Sequence, residues 1–262
     1  MLIDHIGATV LLEAVRASAG REREILTFVY WTVRGIGRIA FPLFIFVLVE
    51  GFFHTRNRLK YFLRLAVFCP VAEIPYDIAF NIKPAALAAG TFFEGKSQNV
   101  MFTLAIGFFC LWLIFVWWPG YAIMTGRAVP DADGNGRTYA DITRKEYVKW
   151  FANCILITAA GCYIAYSFHT DYGWAGVLGI VLCGMLRLLM PEAGREAEKF
   201  SFVGAMIPLI LQNSFEAVAL VDYFLIDRYN GEKGRSGLKW FFYLFYPVHL
   251  LVLGMMKYYL FK

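Results

Sequence analysis

Charged residues are scarce in this chain. Asp, Glu, Lys and Arg make up 17% of its 262 residues, whereas soluble domains carry about a quarter. Hydrophobic residues reach 59%, aromatic residues reach 18%, and the mean hydropathy is positive. A composition with so little charge excludes an ordinary water-soluble globule. It predicts a membrane protein whose main partner is the lipid bilayer, and we expect no nucleic acid among its partners.

Paired cysteines and strand-like patterns are also missing. The five cysteines form an odd set without C-x-x-C spacing, so we expect small core residues and neither a disulfide framework nor a metal site. The alternating polar and apolar pattern of membrane barrel strands is absent as well. Because unpaired backbone amides cannot be left in lipid, an all-helical bundle remains.

Long apolar stretches are what the chain has instead. Five are nearly free of charge: 100–118, 150–170, 172–186, 200–215 and 240–256. Three more carry charges but still predict membrane spans: 2–15, 25–53 and 61–81. A helix needs about 20 apolar residues to cross a hydrocarbon core of about 30 Å. The sequence therefore predicts one domain, 1–262, folded as an all-α polytopic transmembrane bundle of about eight helices.

The first span and the small residues add two expectations. Span 2–15 is too short to cross unaided, so either the native chain has residues before Met1 or this helix enters the membrane only partway. It also lacks the basic region and cleavage site of a signal peptide. Helices in lipid meet through small residues, and we expect such contacts at Ala159, Ala160 and Gly161 and at Gly173, Gly176 and Gly179.

Basic residues in short connections set the orientation of a membrane protein. Connections 54–64 and 126–149 are rich in Lys and Arg, which predicts that both lie in the cytoplasm. The turn around Asp171, which has no Lys or Arg, would then lie outside. Two other outer connections, near Arg16 and Arg228, are basic and disagree with this orientation.

Ionisable residues inside the spans carry the functional information. An Asp, Arg or Lys near the centre of a membrane helix costs about 2.5 to 3.5 kcal/mol, so several of them imply mutual pairing or a water-filled cavity. Glu73 and Asp77 are four residues apart and would share a helix face, although Pro75 between them can kink the helix. Arg38 is a candidate partner. Taken singly, these charges are equally explained as structural ion pairs.

Six motifs follow one another along nearly the whole chain: Asp4-His5-Ile6-Gly7 with the stretch from Gly37-Arg38 to Glu50-Gly51-Phe52, His54-Thr55-Arg56-Asn57, Glu73-Ile74-Pro75-Tyr76-Asp77, Thr170-Asp171-Tyr172-Gly173, Tyr229-Asn230-Gly231 and Phe245-Tyr246-Pro247-Val248-His249-Leu250. The series resembles the TraX family of conjugal-transfer membrane proteins, whose best-known member is the acetylase of F-type pilin. That family is distantly similar to the multipass acyltransferases of the acyltransferase-3 group. The chain differs at its start, which lacks residues that the family often carries.

The resemblance implies a bacterial inner- or plasma-membrane enzyme. Such an enzyme would move an acetyl group from acetyl-CoA to an amine or hydroxyl acceptor, which is the pilin N-terminus in the best-known relatives. It would use acetyl-CoA as a co-substrate and no metal. The acceptor could equally be another membrane or cell-envelope molecule.

Acyl transfer needs a base, a group that stabilises the oxyanion and an anchor for the donor. His5 is the candidate base because imidazole titrates near neutral pH. Adjacent helical residues point about 100° apart, so Asp4 alone does not orient His5, and Glu73 or Asp77 could hold the ring while Asp4 pairs with Arg38. Arg38 would either stabilise the oxyanion or neutralise Glu50.

The basic stretch after the second motif is the candidate anchor for the phosphates of coenzyme A: His54, Arg56, Arg58, Lys60 and Arg64. The competing interpretation is that cytoplasmic connections collect basic residues anyway. Asp171 and His169 occupy an outer turn where an acceptor could arrive, but Asp-Tyr-Gly is also a turn signal. His249 could be aimed into the bundle by Pro247 or could simply pack among aromatic rings.

Two other classes of function stay open. A transporter would use the intramembrane carboxylates to relay protons or bind a cation, although no internal repeat of helices is visible. A noncatalytic membrane partner would dock a pilin or another small membrane protein in a polar groove. Neither needs acetyl-CoA, so nucleotide binding separates both from the enzyme. The residues do not separate direct transfer from a covalent acetyl-histidine route.

Overall fold

The computed structural model describes residues 1–126, 138–231 and 239–261. These residues form helices and connections, and no strand occurs among them. One isolated bridge joins Gln98 and Thr170. The all-α prediction is therefore confirmed. Residues 127–137, which form part of the connection expected to be cytoplasmic, lie outside the described residues.

The helices follow the predicted order along the chain. Their bounds are α1 (Leu2–Ile6), a π-helical segment (Gly7–Leu11), α2 (Leu12–Ala17), α3 (Gly20–Arg38), α4 (Ala40–His54), α5 (Arg58–Tyr76), a second π-helical segment (Asp77–Asn81), α6 (Pro84–Ala88), α7 (Val100–Val116), α8 (Tyr121–Met124), a 3₁₀ turn (Tyr139–Asp141), α9 (Arg144–Ser167), α10 (Gly173–Leu189), α11 (Arg195–Gln212), a 3₁₀ helix (Ser214–Val221), α12 (Asp222–Asp227) and α13 (Lys239–Phe261).

Polar side chains fix where several helices begin. Asn57 accepts a hydrogen bond from the Lys60 amide at 2.8 Å and starts α5, and Asn99 does the same for α7 through the Met101 amide at 2.9 Å. Thr143 and Glu146 form a reciprocal capping box at the start of α9. These bonds satisfy first-turn amides that have no partner within the helix.

Prolines explain where long predicted spans change course. Predicted span 25–53 is two helices that meet at Ile39, because Pro42 has no amide hydrogen to donate to the Arg38 carbonyl one turn earlier. Predicted span 61–81 continues past Pro75 into the second π-helical segment. There the Ile82 amide donates to the Asp77 carbonyl, five residues back, at 2.8 Å.

One helical segment was missed. The prediction ended span 200–215 in a connection, but the 3₁₀ helix and α12 run back along α11. Lys199 near the start of α11 forms an ion pair with Asp227 at the end of α12, with 2.7 Å between Nζ and Oδ1. Glu216 and Asp222 interrupt the apolar stretch Phe215–Leu225, so the sequence did not predict a span there.

Helix α10 lies at the centre of the bundle, against α4, α7, α9 and α11. Gly179 allows this packing, because a Cβ there would stand 3.0 Å from the Ala205 carbonyl oxygen of α11. Gly161 likewise fits against the Cys110 sulfur of α7, so the expected small-residue contacts are confirmed at these two positions. Ala159 and Ala160 are exposed, and the expected contact there was wrong.

Three helical stretches are long and apolar enough to cross a membrane: Gly20–His54, Arg144–Ser167 and Trp240–Phe261. Two shorter apolar helices, Val100–Val116 and Gly173–Leu189, accompany them. Large apolar side chains on α9 point outward, with Ile155 at 68% and Leu156 at 69% exposure. Such a surface suits lipid and not water. The number of eight crossings and the orientation stay predictions.

Candidate functional site

A cavity of about 230 Å³ lies where α1, α3, α5, α13 and the turn before α10 come together. Its charged and imidazole lining comes from three of these elements: Asp4, His5, Arg34, Arg38 and Asp171. Three tyrosines complete the polar part of the wall: Tyr76, Tyr172 and Tyr246. Residues separated by more than 240 positions in sequence therefore share one polar chamber.

A chain of ion pairs forms one wall of this cavity. Arg34 Nη1 lies 2.6 Å from Asp4 Oδ1, and Arg38 Nη2 lies 3.1 Å from the same oxygen. The other end of the Arg38 guanidinium, Nη1, lies 2.7 Å from Glu216 Oε1. Asp4 pairs with Arg38 as the sequence suggested. The alternative in which Arg38 neutralises Glu50 is wrong, because Glu216 takes that place.

Gly37 makes the close contact between α1 and α3. A Cβ at this position would stand 2.3 Å from Asp4 Cβ, a distance that side chains do not tolerate. The absence of a side chain therefore lets Asp4 reach both Arg34 and Arg38. Since Asp4 is bound to arginines, it is not the group that orients His5.

His5 is held by a second histidine. His5 Nδ1 lies 2.7 Å from His249 Nε2, and His249 Nδ1 lies 2.6 Å from the Phe245 carbonyl oxygen. The sequence suggested that Glu73 or Asp77 would hold the His5 ring, and that interpretation was wrong. His249 is buried and lies against Phe245 and Tyr246, so its aromatic packing and its polar contact occur together.

Glu73 and Asp77 hold the connection between α5 and α7. Glu73 accepts hydrogen bonds from the backbone and side-chain nitrogens of Asn99. Asp77 accepts from Asn81 Nδ2 at 2.6 Å and from the Glu94 amide at 2.8 Å. Glu73 Oε2 and both Asp77 oxygens fix the loop, whereas Glu73 Oε1 is buried without a hydrogen-bond partner among the described residues, and Arg38 pairs with neither acid. For these two carboxylates the structural interpretation fits the contacts.

Asp171 enters the cavity from a tight turn. Its amide donates to the Gln98 carbonyl at 2.8 Å, and Tyr172 adopts a left-handed conformation with φ of 60°. Among the described residues Asp171 has no ion pair, in contrast to Asp4 and Glu216. Burial raises the pKa of the Asp171 carboxyl to about 6. The neighbouring His169 is exposed and lies outside the cavity lining.

A second charged cluster lies at the other end of α4. Glu50 forms an ion pair with Arg187, whose Nη2 also lies 3.8 Å from Glu198 Oε1. His54 Nδ1 lies 2.9 Å from the Glu50 carbonyl oxygen and 3.6 Å from Glu50 Oε2. At about 1.5 Å per residue, His54 lies about 21 Å along α4 from Ala40, which lines the cavity. Glu50 and His54 are therefore not part of the His5 cavity.

The predicted phosphate anchor divides into two kinds of residue. Arg56 and Lys60 are exposed. The Arg58 guanidinium lies over the Phe52 and Phe115 rings, at 4.7 and 4.3 Å from their centroids, and Arg64 lies over Tyr61 at 5.5 Å. Cation–π packing therefore occupies these two arginines. Arg56 and Lys60 are the side chains free to meet an anionic ligand at this end.

Several cavity residues were absent from the predicted site. Arg34 lies four residues before Arg38 and shares its helix face, a spacing that could have identified it. Glu216 is not part of the cavity lining but pairs with Arg38, and no local pattern connects the two, since they are 178 positions apart. Tyr172 stacks on Phe41 with 3.6 Å between ring centroids, and nothing in the local sequence predicts that contact.

A further acid is buried away from the cavity lining. Asp222 has no measurable exposure, and neither carboxylate oxygen has a hydrogen-bond partner among the described residues. It lies at the junction of the 3₁₀ helix and α12. No cluster of three or more His, Cys, Asp or Glu side chains suitable for a metal ion occurs in the described part of the chain.

Comparison with known proteins identifies the family. The sequence pattern of the family described as TraX protein matches residues 1–257. The chain belongs to the TraX family. This TraX protein is also 31% identical over 236 residues to the "Probable fimbrial assembly protein FimC, serogroup H1" of Dichelobacter nodosus, a match that covers 88% of the chain and 85% of the relative. No solved structure matches it.

The motifs that suggested TraX separate into two groups in space. Asp4, His5, Arg38, Asp171 and His249 gather at the cavity or directly behind it. The Glu50 and His54 motifs instead reach the opposite end of α4. The TraX chain therefore carries two polar centres, and the His5 cavity has the groups suited to acid–base chemistry.

Proposed function

We propose that this TraX protein is a membrane acetyltransferase that moves an acetyl group from acetyl-CoA to an amine or hydroxyl acceptor. His5 acts as the general base. The observation that carries the proposal is an imidazole in a polar cavity, fixed by a neighbouring histidine and set beside a pair of arginines. The site would lie in the inner or plasma membrane of a bacterium.

The cavity supplies the groups for each part of the reaction. His5 takes a proton from the acceptor as its nitrogen or oxygen attacks the thioester carbonyl. A bond forms from the acceptor to the acetyl carbon, the carbon–sulfur bond breaks, and the coenzyme A thiolate takes up a proton. Arg38 would stabilise the oxyanion through its Nε, a buried nitrogen without a hydrogen-bond partner among the described residues.

The charges of the cavity favour an amine over a hydroxyl acceptor. Asp4 and Glu216 are neutralised by arginines, whereas Asp171 has no ion-pair partner within the described part of the chain. A carboxylate in this position attracts an ammonium group through charge-assisted hydrogen bonds. The amine would bind as its cation beside Asp171 and lose one proton to water, and His5 would take the second proton as the neutral amine attacks.

Donor binding is proposed at the exposed basic side chains that follow α4. Arg56 and Lys60 would contact the phosphates of coenzyme A, as charge-assisted donors do. The pantetheine arm separates these phosphates from the thioester, so the two ends of the donor need not share one pocket. Because His54 lies about 21 Å along α4 from the end that lines the cavity, the donor would extend along the bundle.

Labelled acetyl-CoA tests the proposal directly. The protein, purified in detergent, is incubated with the donor and a membrane extract, and the molecule that acquires label is identified. We expect labelling by the natural sequence and its loss in His5→Ala. His169→Ala is the matched control, because that histidine is exposed and outside the cavity lining. Labelling that survives His5→Ala would remove His5 as the base.

A noncatalytic docking role is the second candidate. It is favoured by the relative whose name describes a fimbrial assembly protein. In that case the polar cavity would hold part of a small membrane protein and would have no need of acetyl-CoA. Equilibrium binding of acetyl-CoA separates the two, because the docking role predicts no affinity for the nucleotide.

A further inference from the structure

The two histidines of the cavity are joined edge to edge. Their ring planes differ by 4°, and the centroids are 4.9 Å apart. A nitrogen–nitrogen distance of 2.7 Å is that of a hydrogen bond and is too short for two rings packed face to face. The rings therefore share a plane, with His5 Nδ1 and His249 Nε2 facing each other.

The Phe245 carbonyl determines where the protons lie. A carbonyl oxygen only accepts, so the His249 nitrogen that faces it at 2.6 Å, Nδ1, must carry the hydrogen. Neutral His249 then has a lone pair on Nε2 and accepts from His5 Nδ1–H. In neutral His5 this leaves Nε2 as the unprotonated nitrogen. The order of donors is His5 to His249 and His249 to Phe245.

We propose that His249 is the positioning residue that holds His5 in the tautomer with a free Nε2, and that the two imidazoles act as one proton relay. This inference rests on the proposed function for its catalytic meaning. The tautomer itself follows from the hydrogen bonds alone.

The relay takes up one proton and later returns it. His5 Nε2 takes the acceptor's proton, and the hydrogen on His5 Nδ1 moves to His249 Nε2. His5 becomes neutral with its hydrogen on Nε2, and His249 becomes a cation that still donates to Phe245. The reverse shift returns the proton to the cavity, where the departing thiolate takes it up. The positive charge is thus held away from Arg34 and Arg38 during the attack.

Nitrogen NMR of the ¹⁵N-histidine-labelled protein in detergent tests the tautomer without any substrate. The chain has four histidines, so each resonance can be assigned by single substitution. We expect His5 to carry its hydrogen on Nδ1 in the natural sequence. In His249→Phe, which removes the acceptor, His5 should move to the Nε2–H form. His249→Gln should preserve Nδ1–H, because its amide oxygen can accept in place of the imidazole nitrogen.

Acetyl transfer provides the second measurement. We expect His249→Phe to lower kcat by about tenfold or more, part of the 10²–10⁴ that a general base supplies, and His249→Gln to recover much of that loss. A His5 hydrogen on Nε2 in the natural protein overturns the inference, as does equal activity of His249→Phe and the natural sequence. If no acetyl transfer is found at all, the proposed function fails, and the NMR result still decides the tautomer.

Discussion

The two ends of α4 carry similar charges in different surroundings. At each end one arginine contacts two carboxylates from other helices: Arg38 contacts Asp4 and Glu216, and Arg187 contacts Glu50 and Glu198. Each end also has a histidine. His5, however, lies in the wall of a cavity, and the imidazole of His249 holds it by a hydrogen bond. His54 lies at the exposed end of its helix.

This difference shows that charge within a membrane protein does not by itself mark an active site. Bridging an arginine between carboxylates satisfies buried ions and locks helices together, and both ends do this equally well. The cavity end differs in two features: its imidazole faces a shared space, and so does Asp171, a carboxylate without an ion pair among the described residues. Substitutions that affect one end and spare the other can therefore separate catalysis from structure.

The largest difference in acetyl transfer is expected between substitution of His5 and substitution of His54. His5→Ala should lower acetyl transfer by about 10²–10⁴-fold, because it removes the base. His54→Ala should lower it by a much smaller factor, since His54 lies at the opposite end of α4, about 21 Å from the end that lines the cavity. Transfer from labelled acetyl-CoA measures both, at equal amounts of folded protein. Comparable losses in the two variants would contradict the assignment of the base.

Removing either bridging arginine should destabilise the protein to a similar degree. Arg38→Met and Arg187→Met each leave carboxylates without their partner, which costs about 3–5 kcal/mol in the free energy of unfolding when the pair is buried. Thermal unfolding in detergent measures this loss.

The two arginine variants should differ in activity per folded molecule. Arg38→Met should also lose transfer, because its guanidinium faces the reacting groups, whereas Arg187→Met should keep it. Arg187→Met that folds but is inactive would show that the second cluster takes part in the reaction.

Asp171→Asn should weaken the binding of amine acceptors and leave the binding of alcohol acceptors unchanged. Loss of a charge-assisted hydrogen bond worth about 1.5–3 kcal/mol predicts a rise in KM of about tenfold or more. The pKa of Asp171 is raised to about 6, so its charge is present above that pH and lost below it. KM for an amine should therefore rise as the pH falls through about 6 in the natural protein. In Asp171→Asn this rise should be absent. A KM insensitive to the substitution would exclude this role.

A smaller effect is expected at the exposed basic residues. Arg56→Ala with Lys60→Ala should raise KM for acetyl-CoA by about two- to fivefold, because exposed ion pairs contribute only about 0.2–1 kcal/mol each. The effect should shrink as salt is added. Lys83→Ala, another exposed basic residue outside this segment, is the control and should not alter KM. An unchanged KM in the double variant would move the donor site elsewhere.

Asp222→Asn should have the smallest effect. Asp222 is buried and its oxygens have no hydrogen-bond partner among the described residues, so burial favours the neutral acid over the charged form. Asparagine has the same shape and no charge, so stability should change by less than about 1 kcal/mol and transfer should be unchanged. A large loss of either would reveal a charged or proton-carrying role for this residue.

The sequence predicted where helices lie along the chain better than it predicted which side chains pair with each other. Apolar length alone located the helices at the predicted spans, since this signal is local. The helical segment through Glu216 and Asp222 was missed because both acids are buried within it and break its apolar pattern. Partner choice depends on tertiary contacts: Arg38 meets Glu216, and His5 meets His249, across 178 and 244 positions. Glu73 and Asp77 were expected near His5 because their spacing gives no sign of the backbone amides that donate hydrogen bonds to them.

The π-helical segments Gly7–Leu11 and Asp77–Asn81 begin one or two residues after cavity residues on two different helices. Each fits one more residue into its turn than an α-helix would. Because a wide π turn takes up the extra residue by itself, the residues on either side keep nearly the facing of an uninterrupted α-helix. Deleting one residue from either segment should therefore close the wide turn and leave His5 and Tyr76 facing the chamber. The two surplus residues widen the helices beside the chamber without turning its walls.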